Sequence, residues 1–143
     1  MFKQYINGKT VDGKGKLSPV YDPSNGEVID TVSCADAEQT KEALLSAAEA
    51  FKTWSKTPVN ERYNWLMRFK DACLAEREKL IDLVAFESGR PYSAAEGDFN
   101  WLITSLTYYA EEAKRINGEV YPTRYVGNKE NYHIVTRTPI GVT

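Results

Sequence analysis

Asp36-Ala37-Glu38-Gln39-Thr40-Lys41-Glu42-Ala43-Leu44-Leu45-Ser46-Ala47-Ala48-Glu49-Ala50-Phe51-Lys52-Thr53-Trp54 is the stretch in which the chain changes period. Before it, apolar residues come in short runs. Within it, Leu44, Ala47, Ala48, Phe51 and Trp54 recur at helical spacing and define one face. Asp36 followed by Gln39 is a capping-box pattern, in which each side chain answers the other residue's unpaired N–H. The stretch predicts an amphipathic helix and separates a β-rich start from a helical middle.

Upstream, Tyr5-Ile6-Asn7-Gly8-Lys9-Thr10-Val11 is a hairpin signal, because Asn-Gly accepts the positive φ values of a type I′ turn. Gly13-Lys14-Gly15-Lys16 reads as a flexible polar loop. Leu17 to Tyr21 and Val28 to Val32 flank the turn residues Asp22-Pro23-Ser24-Asn25-Gly26. Downstream, Thr57-Pro58 marks a second helix, with Thr57 as N-cap and Pro58 at the first position. Its apolar positions are Val59, Tyr63, Leu66, Met67, Cys73 and Leu74. A break at Ala75-Glu76-Arg77-Glu78 precedes a third helix carrying Leu80, Ile81, Val84 and Ala85, which stops at Gly89 before Pro91. Ser93 and Glu96 predict another capping box, opening a fourth helix that runs to about Asn117 ahead of Gly118. Phe99, Leu102, Ile103, Leu106, Ala110 and Ala113 form its buried face, and Trp101 and Tyr108 lie on a different one. The tail from Glu119 is extended, with a strand over Tyr132 to Arg137. The expected class is therefore α/β: an N-terminal β-hairpin region, about four α-helices and a terminal strand.

Composition narrows the function classes. The chain has 143 residues, is 42% hydrophobic and 27% charged, and carries a net charge of −2. Those values suit one globular core and provide no basic field for nucleic acid or an anionic membrane. No apolar run is long enough to cross a bilayer, and the N-terminus lacks a secretory-signal pattern. Two distant cysteines, Cys34 and Cys73, do not make a disulfide framework. A cytoplasmic protein is the expectation. The β-prone ending Pro139-Ile140-Gly141-Val142-Thr143 has no polar finish, as expected of a chain cut from a longer one.

Residues with chemistry are sparse. Cys34 precedes a helix but has no base near it in sequence, and Cys73 lies on an apolar stripe. His133 is the single histidine and makes neither a triad nor a metal site. Gly13-Lys14-Gly15-Lys16-Leu17-Ser18 lacks the final glycine and the following helix of a phosphate loop. Acidic residues such as Glu111, paired with Arg115 one turn on, form a solvated helix face. Trp101 and Tyr108 line a pocket or pack against further protein; pattern leaves both open.

The ordered motifs say more. They are Tyr5-Ile6-Asn7-Gly8-Lys9, Tyr21-Asp22-Pro23-Ser24-Asn25-Gly26-Glu27-Val28-Ile29, Ala48-Glu49-Ala50-Phe51 with Trp54, Glu61-Arg62, Glu87-Ser88-Gly89-Arg90-Pro91, Tyr108-Tyr109-Ala110, Gly118-Glu119-Val120-Tyr121-Pro122 and Arg137-Thr138-Pro139-Ile140-Gly141-Val142. In this order they resemble the N-terminal region of the aldehyde dehydrogenase superfamily. Ala110-Glu111-Glu112-Ala113-Lys114-Arg115-Ile116 is most similar to its succinate-semialdehyde branch. Thr10 stands where the family often has Trp, and Arg90 where it often has Lys.

The resemblance implies oxidation of a small-molecule aldehyde to a carboxylic acid with NAD or NADP, in a homo-oligomer. It makes residues 1–143 the N-terminal part of the cofactor-binding domain, with the start of an oligomerisation arm at about 131–138 and the catalytic domain absent. The family's catalytic cysteine, glutamate and dinucleotide cradle then fall after Thr143, so no catalytic or cofactor-binding residue is expected here. Gly97 and Trp101 become candidate substrate-tunnel residues. Glu87 matches a carboxylate that in some members helps hold a monovalent cation, with a plain surface acid the alternative. The segment alone is expected to be inactive and, with apolar faces uncovered, to associate. The alternative is a non-catalytic helical binding module derived from the same family.

Overall fold

The computed structural model describes residues 3–123 and 131–143, so the extended tail expected over 124–130 lies outside the described residues. Asn7 and Gly8 take φ values of 52° and 73° and turn β1 (Gln4–Ile6) back into β2 (Lys9–Val11). β3 (Leu17–Tyr21) and β4 (Val28–Ser33) form a second antiparallel pair with a bulge at Val20/Tyr21. Their turn is fastened by Asp22, whose carboxylate accepts from the Ser24 amide at 2.8 Å and hydroxyl at 2.6 Å. The Ser24 hydroxyl, then its amide, holds the Asp22 carboxyl below its ordinary range.

The Gly13–Lys16 loop departs from the flexible loop expected. Gly15 donates its amide to the Cys34 carbonyl at 2.8 Å, and Lys14 donates its own to Gln39 Oε1 at 2.6 Å. A Cβ on Gly13 would stand 2.2 Å from the carbonyl oxygens of Ser33 and Cys34, so only glycine admits this approach.

α1 (Ala37–Trp54) begins with the expected capping box: Asp36 accepts from the Gln39 amide, and Gln39 Oε1 accepts from the Asp36 amide. Gln39 is itself buried, and its Nε2 donates to the Asp12 carbonyl at 2.9 Å. One side chain thus caps α1 and ties the loop to it. The expected apolar stripe, however, is not a buried one. Leu44 is 59% exposed and Trp54 49% exposed, and the helix packs chiefly on β1. Periodicity makes a helix amphipathic; it does not supply the surface that covers it.

The core lies in the other three helices, α2 (Val59–Ala75), α3 (Arg77–Ser88) and α4 (Tyr92–Ala113). Cys73, Ile81, Ala95 and Phe99 are buried together, with Leu80, Ala85, Ile103 and Leu106 packed against them. Fully buried Ala95 and Ala110 let α4 lie close to its neighbours. Leu74 and Val84, both expected inside, are exposed at the margin of this packing. Gly89 ends α3 in the left-handed region at φ 63°, as Gly89-Arg90-Pro91 predicts.

Three helix ends differ from expectation. Pro58 occupies the N-cap of α2, and no side chain caps that helix, Thr57 included. Pro91 likewise precedes α4, which places Ser93 inside the first turn, so the Ser93–Glu96 box does not form. The Glu96 carboxylate instead meets the Arg77 guanidinium across the α3–α4 contact. α4 stops at Ala113 rather than near Asn117. There Lys114 and Arg115 donate their amides to the carbonyls of Glu111 and Glu112, tightening the last turn. The expected Glu111–Arg115 pair is replaced by Lys114–Glu111 and Arg115–Glu112.

The terminal strand is half of a hairpin. β5 (Glu119–Thr123) pairs antiparallel with β6 (Asn131–Val135), Glu119 opposite Val135 and Tyr121 opposite His133. β6 stops at Val135, short of the expected Arg137, because pairing on the partner strand starts only at Glu119. A Cβ on Gly118 would lie 2.4 Å from the Val135 carbonyl oxygen.

A candidate site on the exposed face of the fourth helix

A helix of 22 residues has room for two working faces, and α4 uses both. Ala95, Phe99 and Ala110 point into the core. The opposite face presents Gly97 and then, one turn on, Trp101, which is 72% exposed. Further along, Trp101, Thr104, Ser105, Tyr108 and Tyr109 line a cavity of about 220 Å³. The Tyr108 and Tyr109 rings meet edge to face, centroids 5.3 Å apart at 79°. The Thr104 hydroxyl donates to the Asn100 carbonyl at 2.9 Å, so its proton is used within the helix.

Gly97 and Trp101 therefore share a face, and nothing would meet a Cβ on Gly97 within 4 Å. Sequence reading named Trp101 and Tyr108 but missed Thr104, Ser105 and Tyr109. Spacings of three, four and seven residues from Trp101 point to Thr104, Ser105 and Tyr108; Tyr109 enters through its ring contact.

The face is aromatic and hydroxylic, suited to lining a passage or gripping an apolar group. The residues that line the cavity include no thiol, imidazole or carboxylate. Cys34 is half-buried just after β4, Cys73 is in the core, and both are free thiols. Neither thiol makes a hydrogen bond among the described residues. His133 is exposed on β6.

Glu87 is exposed near the end of α3. Among the described residues no group of three or more His, Cys, Asp or Glu side chains is gathered to hold a metal ion. The Gly13–Lys16 loop, filled by the backbone of Ser33 to Ala35, leaves no cradle for a dinucleotide phosphate.

Electrostatics fix the start of α4 rather than activate it. Arg77 reaches Glu78 and Glu96 together, and its guanidinium lies over the Phe99 ring at 5.8 Å. Tyr92 donates its hydroxyl to Glu78 at 2.7 Å. Tyr92, then Arg77, lowers the Glu78 carboxyl below its ordinary range, and Glu78 in return raises the Tyr92 phenol. At the other end, Lys114 lowers Glu111 and lies 3.5 Å from the Tyr63 ring centroid. None of the described helices is long and apolar enough to cross a membrane.

The elements and their order define a partial α/β fold in which one helix presents an aromatic face outward. The sequence profile of the aldehyde dehydrogenase family matches residues 10–143, and the chain belongs to that family. It is 35% identical over 138 residues to the mitochondrial succinate-semialdehyde dehydrogenase of Arabidopsis thaliana, covering 96% of this chain and 26% of that one. It is 33% identical to the glutarate-semialdehyde dehydrogenase of Pseudomonas aeruginosa, covering 100% of this chain and 30% of that one. The fold superposes with a TM-score of 0.76 on betaine aldehyde dehydrogenase from Staphylococcus aureus, a point mutant crystallised with NAD+. That match is 28% identical and covers 83% of this chain and 25% of that one. The chain thus spans between a quarter and a third of the length of these relatives. The α/β expectation holds, with the matching part being the N-terminal part of the family fold.

Proposed function

We propose that this chain is the N-terminal segment of an NAD(P)-dependent aldehyde dehydrogenase that oxidises an aldehyde to its carboxylic acid. The observation that carries the reading is a family match over nearly the whole chain, joined to a fold whose first helix lacks a covering layer. Two of the relatives are named for semialdehydes that already bear a carboxylate, which supports a substrate of that kind. In this reading Gly97 and Trp101 face the passage for the aldehyde, and Glu87 is a candidate ligand for a monovalent cation. Residues 131–138 begin the arm through which copies associate, and the protein works as a cytoplasmic homo-oligomer.

The chain by itself is inactive in this reading, because its described residues assemble neither a thiol with a base nor a dinucleotide cradle. The test is twofold. The purified 143-residue chain should form no NADH or NADPH from succinate semialdehyde or glutarate semialdehyde; turnover would overturn the inactive-segment reading. The native protein in source cells should have a mass several times the 16.2 kDa of this chain. A native mass equal to it would replace the dehydrogenase with a non-catalytic binding module.

A further inference from the structure

Two ion pairs grip α4 on either side of Gly97. Glu96, the residue before it, meets the Arg77 guanidinium at the start of α3. Asp98, the residue after it, meets the Arg90 guanidinium in the link between α3 and α4. From these contacts we infer that Arg77 and Arg90 are positioning residues, which set the rotation of α4 about its axis and so aim the face that bears Gly97 and Trp101. That aim bears on an aldehyde passage only under the dehydrogenase reading, on which the inference rests.

Successive helical residues are about 100° apart around the axis, so Glu96 and Asp98 stand on opposite flanks with Gly97 midway between them. Ala95 and Phe99 point the other way, into the core. Two of the three residues that α4 buries are alanines, whose methyl groups key a helix weakly against turning. A turn in either direction draws one acidic side chain away from its arginine. The two pairs therefore oppose each other and hold one angle.

The two grips differ in strength. Arg77 is half-buried, spans Glu78 and Glu96, and lies over the Phe99 ring at 5.8 Å. Its planar fork serves both carboxylates at once. The Arg90 and Asp98 side chains are 51% and 50% exposed, where water and salt weaken an ion pair. Arg77 thus carries more of the positioning than Arg90.

The test is steady-state oxidation of succinate semialdehyde by the full-length enzyme that carries this segment. R77Q should raise KM for the aldehyde about fivefold and R90Q about twofold, with KM for the dinucleotide unchanged. R77K keeps the charge without the fork and should recover part of the R77Q loss. R90D and D98R should each weaken the enzyme at least as much as R90Q. The double variant R90D/D98R re-forms the pair with its charges exchanged and should restore the wild-type KM, which reports pairing rather than local charge.

An aldehyde KM unchanged in both R77Q and R90Q overturns the inference. So does a fall in kcat alone with both KM values unchanged, which would mean only that less enzyme folds. A wild-type enzyme that oxidises no aldehyde overturns the dehydrogenase reading first, and crystal structures of the variants then judge the grip itself. There α4 should be turned about its axis in R77Q, and an α4 unmoved in both R77Q and R90Q overturns it.

Discussion

Around Phe99, three helices close on one another; along α1, an equally helical stretch leaves Leu44 and Leu45 in water and is anchored mainly through its first turn. Both regions carry apolar residues at helical spacing, and both form the helices that spacing predicts. Only one has become a core. The difference lies in what faces each helix: α4 has α2 and α3, whereas α1 has a two-stranded hairpin too narrow to cover an 18-residue helix. Amphipathicity is a local property, and burial belongs to the assembly of elements.

Substitution in the two regions gives the largest expected contrast. Phe99→Ala removes a ring packed against Cys73, Ile81 and Ala95 and should cost about 3–5 kcal/mol of stability. Leu44→Ala removes a side chain that is mostly in water and should change stability by no more than about 0.5 kcal/mol. Urea denaturation of the two variants measures both. Comparable losses would show that α1 is covered in solution, by a second copy or by segments not described, and would erase the distinction.

That contrast also marks how far the sequence was readable. The Asn7-Gly8 turn, the Asp36–Gln39 box and the Gly89 stop depend on a few neighbouring residues, and each is found where those residues place it. Burial of Leu44, Trp54 and Leu74 depends on distant surfaces, and there periodicity overreached. The Ser93–Glu96 pattern failed because Pro91 takes the N-cap and leaves Ser93 inside the first turn, while Glu96 meets Arg77, 19 residues earlier in sequence. At the candidate site, Gly97 and Trp101 were placed by family resemblance. Their common face follows from helical spacing, but the cavity walls Thr104, Ser105 and Tyr109 needed the three-dimensional arrangement.

The one firmly fixed end of α1 sharpens the comparison further. Buried Gln39 accepts from the Lys14 amide, donates to the Asp12 carbonyl and completes the helix cap. Gln39→Ala would take their partner from the part-buried Lys14 amide and Asp12 carbonyl, at about 1 kcal/mol. Loss should be accompanied by faster amide exchange at Lys14 and Gly15, since the loop is held from this side. If exchange there stays at the wild-type rate, the loop is held by its backbone contacts to Cys34 alone.

The smallest expected effect lies at the opposite corner, where α3 meets α4. Tyr92 and Arg77 lower the Glu78 carboxyl from its ordinary value of 4.5. A carboxyl with a depressed folded-state pKa stabilises the fold above its unfolded value, and that stabilisation is lost as pH falls through the folded value. The affected window therefore lies below pH 4.5, on the acid limb of the unfolding curve. Tyr92→Phe removes the hydroxyl that contributes most to the shift and leaves Arg77 in place. The Glu78 titration midpoint, followed by the NMR shift of its carboxyl carbon, should move up toward 4.5 without reaching it. An unmoved Glu78 midpoint in Tyr92→Phe would mean that Arg77 alone lowers the carboxyl, and that the α3–α4 corner is held without the tyrosine.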